Sequence, residues 1–374
     1  MENWLKSCRL TIGTGVPTVF SNQNDIYQDG TTPLFRDEQG VLWALSGHTH
    51  VGHIGLFRGT CVTDMQEVCE IHPLFETGAA GRAFDGRPYP EGIQSRGSIW
   101  PMGLYICPVT RRFFCFFHNE TGWNGQGTGY IIGGAGDGEP DFRHIGLMYS
   151  DDEGHSWRFD RWVLTAADIG FSSLYNPDGI PVRGQSGSSV SLGAGDFSVY
   201  VDQREGYLYL YYNILRVDRD SYAWQRCDAF AARTRLRTDG VMGDFVKYYD
   251  GSFCEPGNLG RESPVADRAW HPRVVFAREL GFYLMTAGKV HEYQAETTVF
   301  LPDTTQVRTS RDLIHWSEPL DLIKDGQPFG NHYAALAPHD GILPASEIDN
   351  RPLLLLCHNA TDVIAYPVTI QADL

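Results

Sequence analysis

Side chains suited to proton transfer or sugar binding recur in this sequence at the ends of short apolar runs. A first set, which precedes an apolar run, consists of Asp29, Trp100, Asp196, His271 and His332. A second set, which follows the next apolar run, consists of His48, His50, Glu120, Asn213, Lys289, His291, Glu292, His358 and Asn359. Carboxylates and imidazoles are the usual general acids and bases of enzymes. If the fold gathers them in one pocket, one group could activate a water molecule while another protonates a leaving group.

These positions lie on a hairpin that the chain repeats. Residues 197–213, with the sequence FSVYVDQREGYLYLYYN, form an apolar run, a polar turn and a second apolar run. Residues 34–45, 103–117, 274–285 and 336–357 have the same arrangement. Such runs, separated by turns, predict antiparallel β-hairpins. The start of the first strand and the end of the second then lie at one edge of the sheet, so we expect the two sets of side chains to converge.

The repeat predicts an all-β fold. Five units open near residues 29, 98, 195, 270 and 331, and windows with a helical apolar period are almost absent. Small sheets that bury their faces only against their neighbours are typical of a β-propeller. We therefore expect one five-bladed β-propeller domain over residues 1–374. Its last unit stops before a fourth strand, and residues 8–12 are expected to supply that strand and close the ring.

Two third-strand hairpins carry a turn motif. Residues 150–157, SDDEGHSW, fit S-x-D-x-G-x-x-W, the Asp-box of sialidase-type propellers, and residues 309–316, TSRDLIHW, contain a looser version. In this motif the Asp and Gly form the turn and the Trp packs between blades. The carboxylates of these turns are therefore expected to be structural and not catalytic.

The charge of the chain limits its partners. It has 46 acidic residues against 30 Lys and Arg, a net charge of −16 spread over many loops. This charge disfavours nucleic acids and anionic membranes, and a neutral partner suits it better. None of the 8 cysteines has CxxC spacing, and the N-terminus lacks the apolar segment of a signal peptide. We expect a cytoplasmic protein with reduced cysteines and no membrane span.

The two turn motifs, the five units and the Asp that opens the first unit resemble the five-bladed glycoside hydrolases of families 43, 32, 117 and 130. The resemblance covers nearly the whole chain and implies a glycoside hydrolase. In family 43 an Asp of the first blade is the general base and a second Asp tunes the acid, which implies these roles for Asp29 and Asp196. The general acid of that family is the Glu of an E-G-P motif, but the corresponding stretch here is Trp270-His271-Pro272. Three residues are open as the acid: His271, because family 117 uses a His, then Glu120, then Glu262.

Glycoside hydrolysis also indicates how the groups should be arranged. An inverting enzyme holds its acid and base about 6.5–9.5 Å apart, and opposite walls of a propeller funnel can provide this gap. The expected substrate is a neutral glycan or oligosaccharide, with aromatic rings against the sugar faces. The predicted substrate-binding residues are Trp100, Trp123, Trp270, Tyr333, His48, His50, Asn213, Arg273, Lys289, His291, His332 and His358.

Other functions are compatible with the same scaffold. A sialidase-like enzyme needs three arginines around a carboxylate, and the candidates are Arg36, Arg58, Arg96 and Arg273. A polysaccharide lyase would use a His or Tyr base with a metal or an arginine, and a non-catalytic carbohydrate-binding or protein-binding propeller would use neither. Hydrolysis requires no cofactor, although His48, His271 and His332 could hold a divalent metal such as zinc or manganese.

Overall fold

The computed structural model describes residues 2–20, 29–50, 53–71, 89–90, 97–121, 142–167, 189–218, 224–290, 300–331, 333–358 and 362–372. Within these ranges the chain is all-β, as predicted, and its one helix is a 3₁₀ turn at Trp4–Ser7. No helix in this part of the chain is long and apolar enough to cross a membrane. The eight cysteines all lie in the described ranges, and none forms a disulfide.

The first sheet is an antiparallel meander. Two short strands, β1 (Cys8–Ile12) and β2 (Val16–Pro17), precede it. Its strands are β3 (Leu34–Arg36), β4 (Leu42–Ser46), β5 (Gly55–Gly59) and β6 (Gln66–Glu70). Every residue of β3 and β4 is buried, whereas β6 is largely exposed. The predicted hairpin at residues 34–45 is therefore the interior part of this sheet.

The second and third groups of strands contain the longest hairpins. The second group is β7 (Ser98–Ile106), β8 (Phe113–Glu120), β9 (Arg143–Ser150) and β10 (Arg158–Leu164). The third is β11 (Ser189–Asp202), β12 (Tyr207–Asp218), β13 (Trp224–Arg235), β14 (Val246–Tyr249) and β15 (Ser252–Pro256). Strands within each group pair antiparallel, and one parallel pairing, of Gly193 with Arg143, joins the two groups.

The last two groups bring the two ends of the chain together. The fourth is β16 (Ala269–Ala277), β17 (Phe282–Val290), β18 (Phe300–Ser310) and β19 (Leu320–Asp321), followed by a small hairpin of β20 (Ile323–Lys324) and β21 (Gln327–Pro328). The fifth contains β22 (Ala335–Ala337), β24 (Leu353–His358) and β25 (Asp362–Ala372), while β23 (Glu347–Ile348) pairs with β16. Strand β1 pairs with β25, from Cys8 opposite Ala372 to Ile12 opposite Val368.

The first strands of four groups line a shared cavity. Its lining includes side chains from β3, β7, β11 and β16 and residues 344–346. Near the starts of β11 and β16, Oδ1 of Asp196 lies 3.5 Å from Nε2 of His271. These two strands therefore begin side by side.

The two predicted turns hold their acidic side chains against local backbone. The carboxylate of Asp152 accepts a hydrogen bond from the N–H of Ser156 (2.9 Å), and that of Asp312 accepts one from the N–H of His315 (2.8 Å). Trp157 is buried, and its indole N–H donates to the carbonyl of Gly154 (2.8 Å). These carboxylates stabilise turns and lie on the exposed side of their sheets.

Candidate functional site

Strands β11 and β16 carry the same irregularity near their starts. In each strand the pairing with the following strand shifts by one residue. The bulges contain Asp196, with φ of 47°, and His271, with φ of 52°. Left-handed backbone at a residue other than glycine costs about 1–2 kcal/mol, so it persists only where its surroundings hold it. Two equivalent strained positions with ionisable side chains mark this edge as the candidate site.

His118 on β8 holds the backbone of Asp196. The N–H of Asp196 donates to Nδ1 of His118 (3.0 Å). Because Nδ1 accepts, the neutral imidazole carries its proton on Nε2, which lies 2.9 Å from Oε1 of Glu120. A Cβ added at Gly195 would lie 2.2 Å from Cε1 of His118. Glycine at this position therefore allows the imidazole to reach the backbone of β11.

One guanidinium bridges two carboxylates in the site. Nη1 of Arg143 lies 2.6 Å from Oδ2 of Asp196, and Nη2 lies 3.2 Å from Oε1 of Glu120. The three side chains are only 9–12% exposed. Unpaired charges this far from water would be costly, so the cation is what allows both carboxylates to stay ionised.

A third carboxylate reaches the same cluster from the opposite side. The phenol of Tyr333 donates a hydrogen bond of 2.5 Å to Oδ1 of Asp29. The ring of Tyr333 packs edge-on against the imidazole of His271, with centroids 4.6 Å apart. Nε2 of His271 in turn lies 3.5 Å from Oδ1 of Asp196. Asp29 and Asp196 are therefore joined through two intervening rings at one end of the inner strands.

The environments of the two aspartates shift their pKa values in opposite directions. Burial raises the pKa of Asp29, and the nearby charges of Glu120 and Asp196 raise it further, against the hydrogen bond from Tyr333. Burial acts in the same direction on Asp196, but its interactions with His271 and Arg143 hold the pKa of that carboxyl well below its usual range. Asp29 is thus the aspartate of the cluster that takes up a proton more readily.

Glu120 and His271 each keep one protonation state near neutral pH. Burial opposes ionisation of Glu120, but the charge of Arg143 and the hydrogen bond from His118 lower its pKa to about 2. Burial lowers the pKa of His271 to about 4, although the charge of Asp196 opposes this shift. At neutral pH the unliganded site therefore contains an ionised Glu120 and a neutral His271.

Asn213 on β12 fixes the backbone of the His271 bulge. Its Nδ2 donates to the carbonyls of Ala269 (2.7 Å) and Asp228 (2.8 Å), and its Oδ1 accepts from the N–H of His271 (2.8 Å). The side chain is 2% exposed. These three bonds link the third and fourth groups of strands, so the structure gives this predicted substrate-binding residue a positioning role.

The aromatic residues predicted to bind sugar line the cluster. Trp270 donates from its indole N–H to Oδ2 of Asp196 (3.3 Å). Trp100 packs against His118, with centroids 5.7 Å apart, and stacks on His48 at 5.3 Å. His50 stacks beyond His48, at 5.9 Å. The predicted residues Trp100, Trp270, His48 and His50 thus extend the cluster along one side.

Several predicted residues lie apart from this cluster. Glu262 forms a buried ion pair with Lys247 on the outer strand β14, and Lys289 pairs with Asp321 on β19 (2.5 Å). His358 lies 3.3 Å from the phenol of Tyr366 on β25, and Arg273 lines the cavity farther along β16. The predicted residues Trp123, His291, His332, Glu292, Asn359 and Arg96 lie outside the described residues.

One group of three donors, among the residues that the structure describes, is close enough to share a metal ion. Its members are His118, Glu120 and Asp196, whose ligand atoms lie within 4.8 Å of one another. The group does not fit a cation, because Nε2 of His118 carries a proton and Arg143 already compensates both carboxylates. The predicted ligands His48 and His271 belong to no such group in the described ranges.

Arg143 and His118 were not among the predicted site residues. Arg143 opens the third strand of its group, whereas the predicted residues were taken mainly from the starts of first strands and the ends of second strands. Glu120 stands opposite Arg143 in the β8–β9 register. A cation directly across a strand pair from a candidate carboxylate is the signal that could have identified it.

Comparisons with known proteins show that this chain is similar to solved structures in its fold, and not in its sequence. No protein-family model and no curated protein matches the sequence. A family 117 glycoside hydrolase produced by the marine bacterium Zobellia galactanivorans is similar over 100% of this chain and 93% of its own, with 11% identity and a TM-score of 0.50. A thermostable family-43 glycoside hydrolase is similar over 95% of this chain and 94% of its own, with 9% identity and a TM-score of 0.46. An alpha-L-arabinofuranosidase from Lactobacillus brevis is similar over 93% of this chain and 92% of its own, with 11% identity and a TM-score of 0.46. The chain shares the all-β fold of the family 117 enzyme.

Proposed function

We propose that this protein is a glycoside hydrolase that cleaves a neutral glycan or oligosaccharide with inversion. The observation that carries the proposal is the arrangement of Asp29 and of the Asp196–His271 pair. They are proton-transfer groups on separate segments, joined through Tyr333. Asp29 and Asp196 have oppositely shifted pKa values, and such divergence between neighbouring groups is typical of acid–base enzymes.

The scaffold for this activity would be a five-bladed β-propeller. Five consecutive groups of strands support the number: β3–β6, β7–β10, β11–β15, β16–β19, and β22, β24 and β25 with β1. The cavity lined by the first strands of four groups and by residues 344–346 supports a common axis. The pairing of β1 with β25 supports closure by the N-terminal strand, which leaves fewer open sheet edges.

Asp29 would act as the general base. It would take a proton from a water molecule whose oxygen bonds to the anomeric carbon of the sugar. Its raised pKa makes Asp29 the more basic aspartate of the cluster, and a base works best when its pKa is close to the working pH. Tyr333 would keep the attacking face of the carboxylate in place by its hydrogen bond to Oδ1.

His271 would act as the general acid. It would give a proton to the glycosidic oxygen as the bond from that oxygen to the anomeric carbon breaks. Burial lowers the pKa of the imidazole to about 4 in the unliganded site, so His271 would have to take up a proton as the substrate binds. The charge of Asp196, 3.5 Å away, favours that protonation. Glu120 is the second choice because Arg143 lowers its pKa, which suits a charge-stabilising role better than proton donation. Glu262 has the least support, since it is paired with Lys247.

The charge of the cluster favours a neutral substrate. Three carboxylates, of Asp29, Glu120 and Asp196, face the one guanidinium of Arg143 among the groups that contact each other here. This excess of negative charge would repel a sugar carboxylate. It would stabilise the oxocarbenium-like charge that develops on a neutral sugar at the transition state.

A sialidase-like site has less support. Arg36 donates to four backbone carbonyls, those of Leu343, Gly40, Thr60 and Asp340. Arg58 is exposed on the sheet of β5. Together with the location of Arg273 in the cavity, these positions form no carboxylate clamp within the described ranges.

The proposal is tested with a panel of neutral aryl glycosides and oligosaccharides. Proton NMR of the first-formed anomer reports stereochemistry, and inversion is expected. Asp29→Asn should lower kcat/KM by about 10²–10⁴-fold, as for loss of a general base, with the melting temperature little changed. Asp239→Asn, at an exposed carboxylate paired with Arg237, is the matched control and should retain full activity.

Four outcomes would count against the proposal or a part of it. Cleavage of no member of the panel, or full activity of Asp29→Asn, would remove the hydrolase assignment. Binding of an oligosaccharide without cleavage would favour a carbohydrate-binding propeller. Retention of configuration would contradict inversion alone.

A further inference from the structure

Arg273 is a buried cation that lacks an anionic partner. Its side chain lies on β16, two residues beyond His271, and is 5% exposed. Nη1 donates to the carbonyl of Thr32 (3.1 Å). Nε has no hydrogen-bond acceptor among the described residues, and no carboxylate of that part of the chain pairs with the guanidinium. Burial is the one influence on its pKa, which falls to about 10, so the group is charged at neutral pH.

Two other buried arginines of this protein have more hydrogen-bond acceptors or a carboxylate partner. Arg36, which lines the same cavity, donates to four backbone carbonyls. Arg308 on β18 donates to two carbonyls and lies 3.3 Å from the carboxylate of Asp267. A guanidinium can make five hydrogen bonds, and a buried charge left without compensation costs several kcal/mol. Nε of Arg308 also lacks an acceptor, so Arg273 differs in having a single carbonyl partner and no carboxylate near its charge.

Arg273 is one of the residues that line the cavity shared by the inner strands. Apolar side chains, among them Leu34, Leu104, Val199 and Val201, line part of the cavity. Gln203, which also lines the cavity, is exposed to solvent. The cavity thus combines two buried guanidinium groups, those of Arg36 and Arg273, with apolar side chains and an exposed polar residue beside which a small solute could enter.

We propose that this cavity binds a small inorganic anion of the halide class, such as chloride, against the guanidinium of Arg273. A halide supplies the missing negative charge and accepts hydrogen bonds from several N–H groups at once. It is small and weakly hydrated enough to lie among apolar walls. The bound anion would also tie β16 to the segment of Thr32, three residues beyond Asp29, since Arg273 contacts that carbonyl. The site is distinct from the cluster of Asp29, Asp196 and His271.

The first test compares thermal unfolding in sodium chloride with that in sodium gluconate at equal ionic strength, because gluconate is too large for the cavity. A ligand that binds only the folded state stabilises it by mass action. Chloride at ten times its Kd should raise the melting temperature by about 2 °C. Arg273→Met should abolish this difference and, in gluconate, should be at least as stable as the parent protein, because the uncompensated charge is gone.

Arg308→Met is the matched control. It removes a buried guanidinium that already has a carboxylate partner, so it should lower the melting temperature in both salts and retain the chloride shift. Crystals soaked in sodium bromide give an independent measurement on the unmodified protein. An anomalous peak in the cavity beside Arg273 is expected.

Equal melting temperatures in the two salts would overturn the proposal, as would a chloride shift that persists in Arg273→Met. A bromide soak with no anomalous peak beside Arg273 would overturn it as well. None of these measurements depends on glycoside hydrolysis, so failure here leaves the proposed function untouched.

Discussion

The phenol of Tyr333 donates a 2.5 Å hydrogen bond to the carboxylate of Asp29, a residue 304 positions earlier in the chain. The same ring packs edge-on against His271. One side chain of the fifth group of strands thus contacts both residues to which we assign proton transfer. Tyr333 therefore contributes to fixing the distance between the proposed base and the proposed acid.

Tyr333→Phe should move the acidic limb of the pH dependence of kcat/KM to higher pH. The hydrogen bond stabilises ionised Asp29 and lowers its pKa, so its loss raises that pKa. A general base must be ionised, and activity is lost as the pH falls through its pKa. Tyr211→Phe, which loses a buried hydrogen bond to the carbonyl of Leu313, is the control and should leave the pH profile unchanged. An unmoved acidic limb in Tyr333→Phe would contradict Asp29 as the base.

Arg143→Met should destabilise the protein strongly at neutral pH. Two buried carboxylates would lose their shared cation, and breaking a buried pair typically costs about 3–5 kcal/mol. Stability linked to the lowered pKa values of Asp196 and Glu120 is present above their ordinary pKa values and disappears as the pH falls through the folded values. The loss caused by the substitution should therefore shrink between pH 7 and pH 3, as measured by urea unfolding at each pH.

The control for that experiment is Arg237→Met. Arg237 and Asp239 form an exposed pair, so its removal should leave stability nearly unchanged at both pH values. A loss in Arg143→Met that stays constant with pH would mean that the guanidinium acts through packing and not through charge.

Asn213→Ala should lower both stability and activity. The substitution leaves two carbonyls and the N–H of His271 without their partner, and each buried polar group left unsatisfied costs about 1–3 kcal/mol. Release of the left-handed backbone at His271 should lower kcat more than it changes KM. Asn258→Ala, which removes one bond to the carbonyl of Trp162, should cost less stability and leave kcat unchanged. Equal kcat losses in the two variants would argue against a positioning role.

Gly195→Ala should be more destabilising than Gly206→Ala. The new Cβ at position 195 would lie 2.2 Å from Cε1 of His118, whereas position 206 has nothing within 4 Å of a Cβ. Overpacking costs about 1–3 kcal/mol, and the positive φ at Gly206 alone costs about 1–2 kcal/mol. Displacement of His118 would also reduce kcat in the first variant only. Denaturant unfolding of both variants measures the difference, and equal activity would contradict the contact.

The hairpins were predictable because they depend on local sequence. Apolar runs and polar turns fix where a strand begins and reverses, and the start of one strand is necessarily beside the end of the next. Asp29, Asp196, His271 and Glu120 could be selected on this ground alone. Their roles could not be separated in this way, because the opposite pKa shifts depend on burial and on a guanidinium from a different strand.

Contacts between residues far apart in the sequence explain why the roles of several residues could not be predicted. Glu262 and Lys289 looked available as single residues, but each has an ionic partner that only the folded chain brings near. Asn213 was predicted to bind sugar, but it forms hydrogen bonds with backbone groups 15 to 58 residues away. These bonds position the backbone of His271. Arg273 follows His271 by two residues, yet its isolation from carboxylates is a property of the assembled cavity.

The antiparallel register between Cys8 and Ala372 has a consequence for biosynthesis. During translation the strand that contains Cys8 leaves the ribosome long before its partner exists, so the last sheet can be completed only after the chain has been made as far as Ala372. The nascent protein must hold an unpaired strand through that interval. For the same reason the two ends of the described chain are neighbours in space, and a short linker between them should permit a circular permutant with new ends in the exposed turn at Gly206.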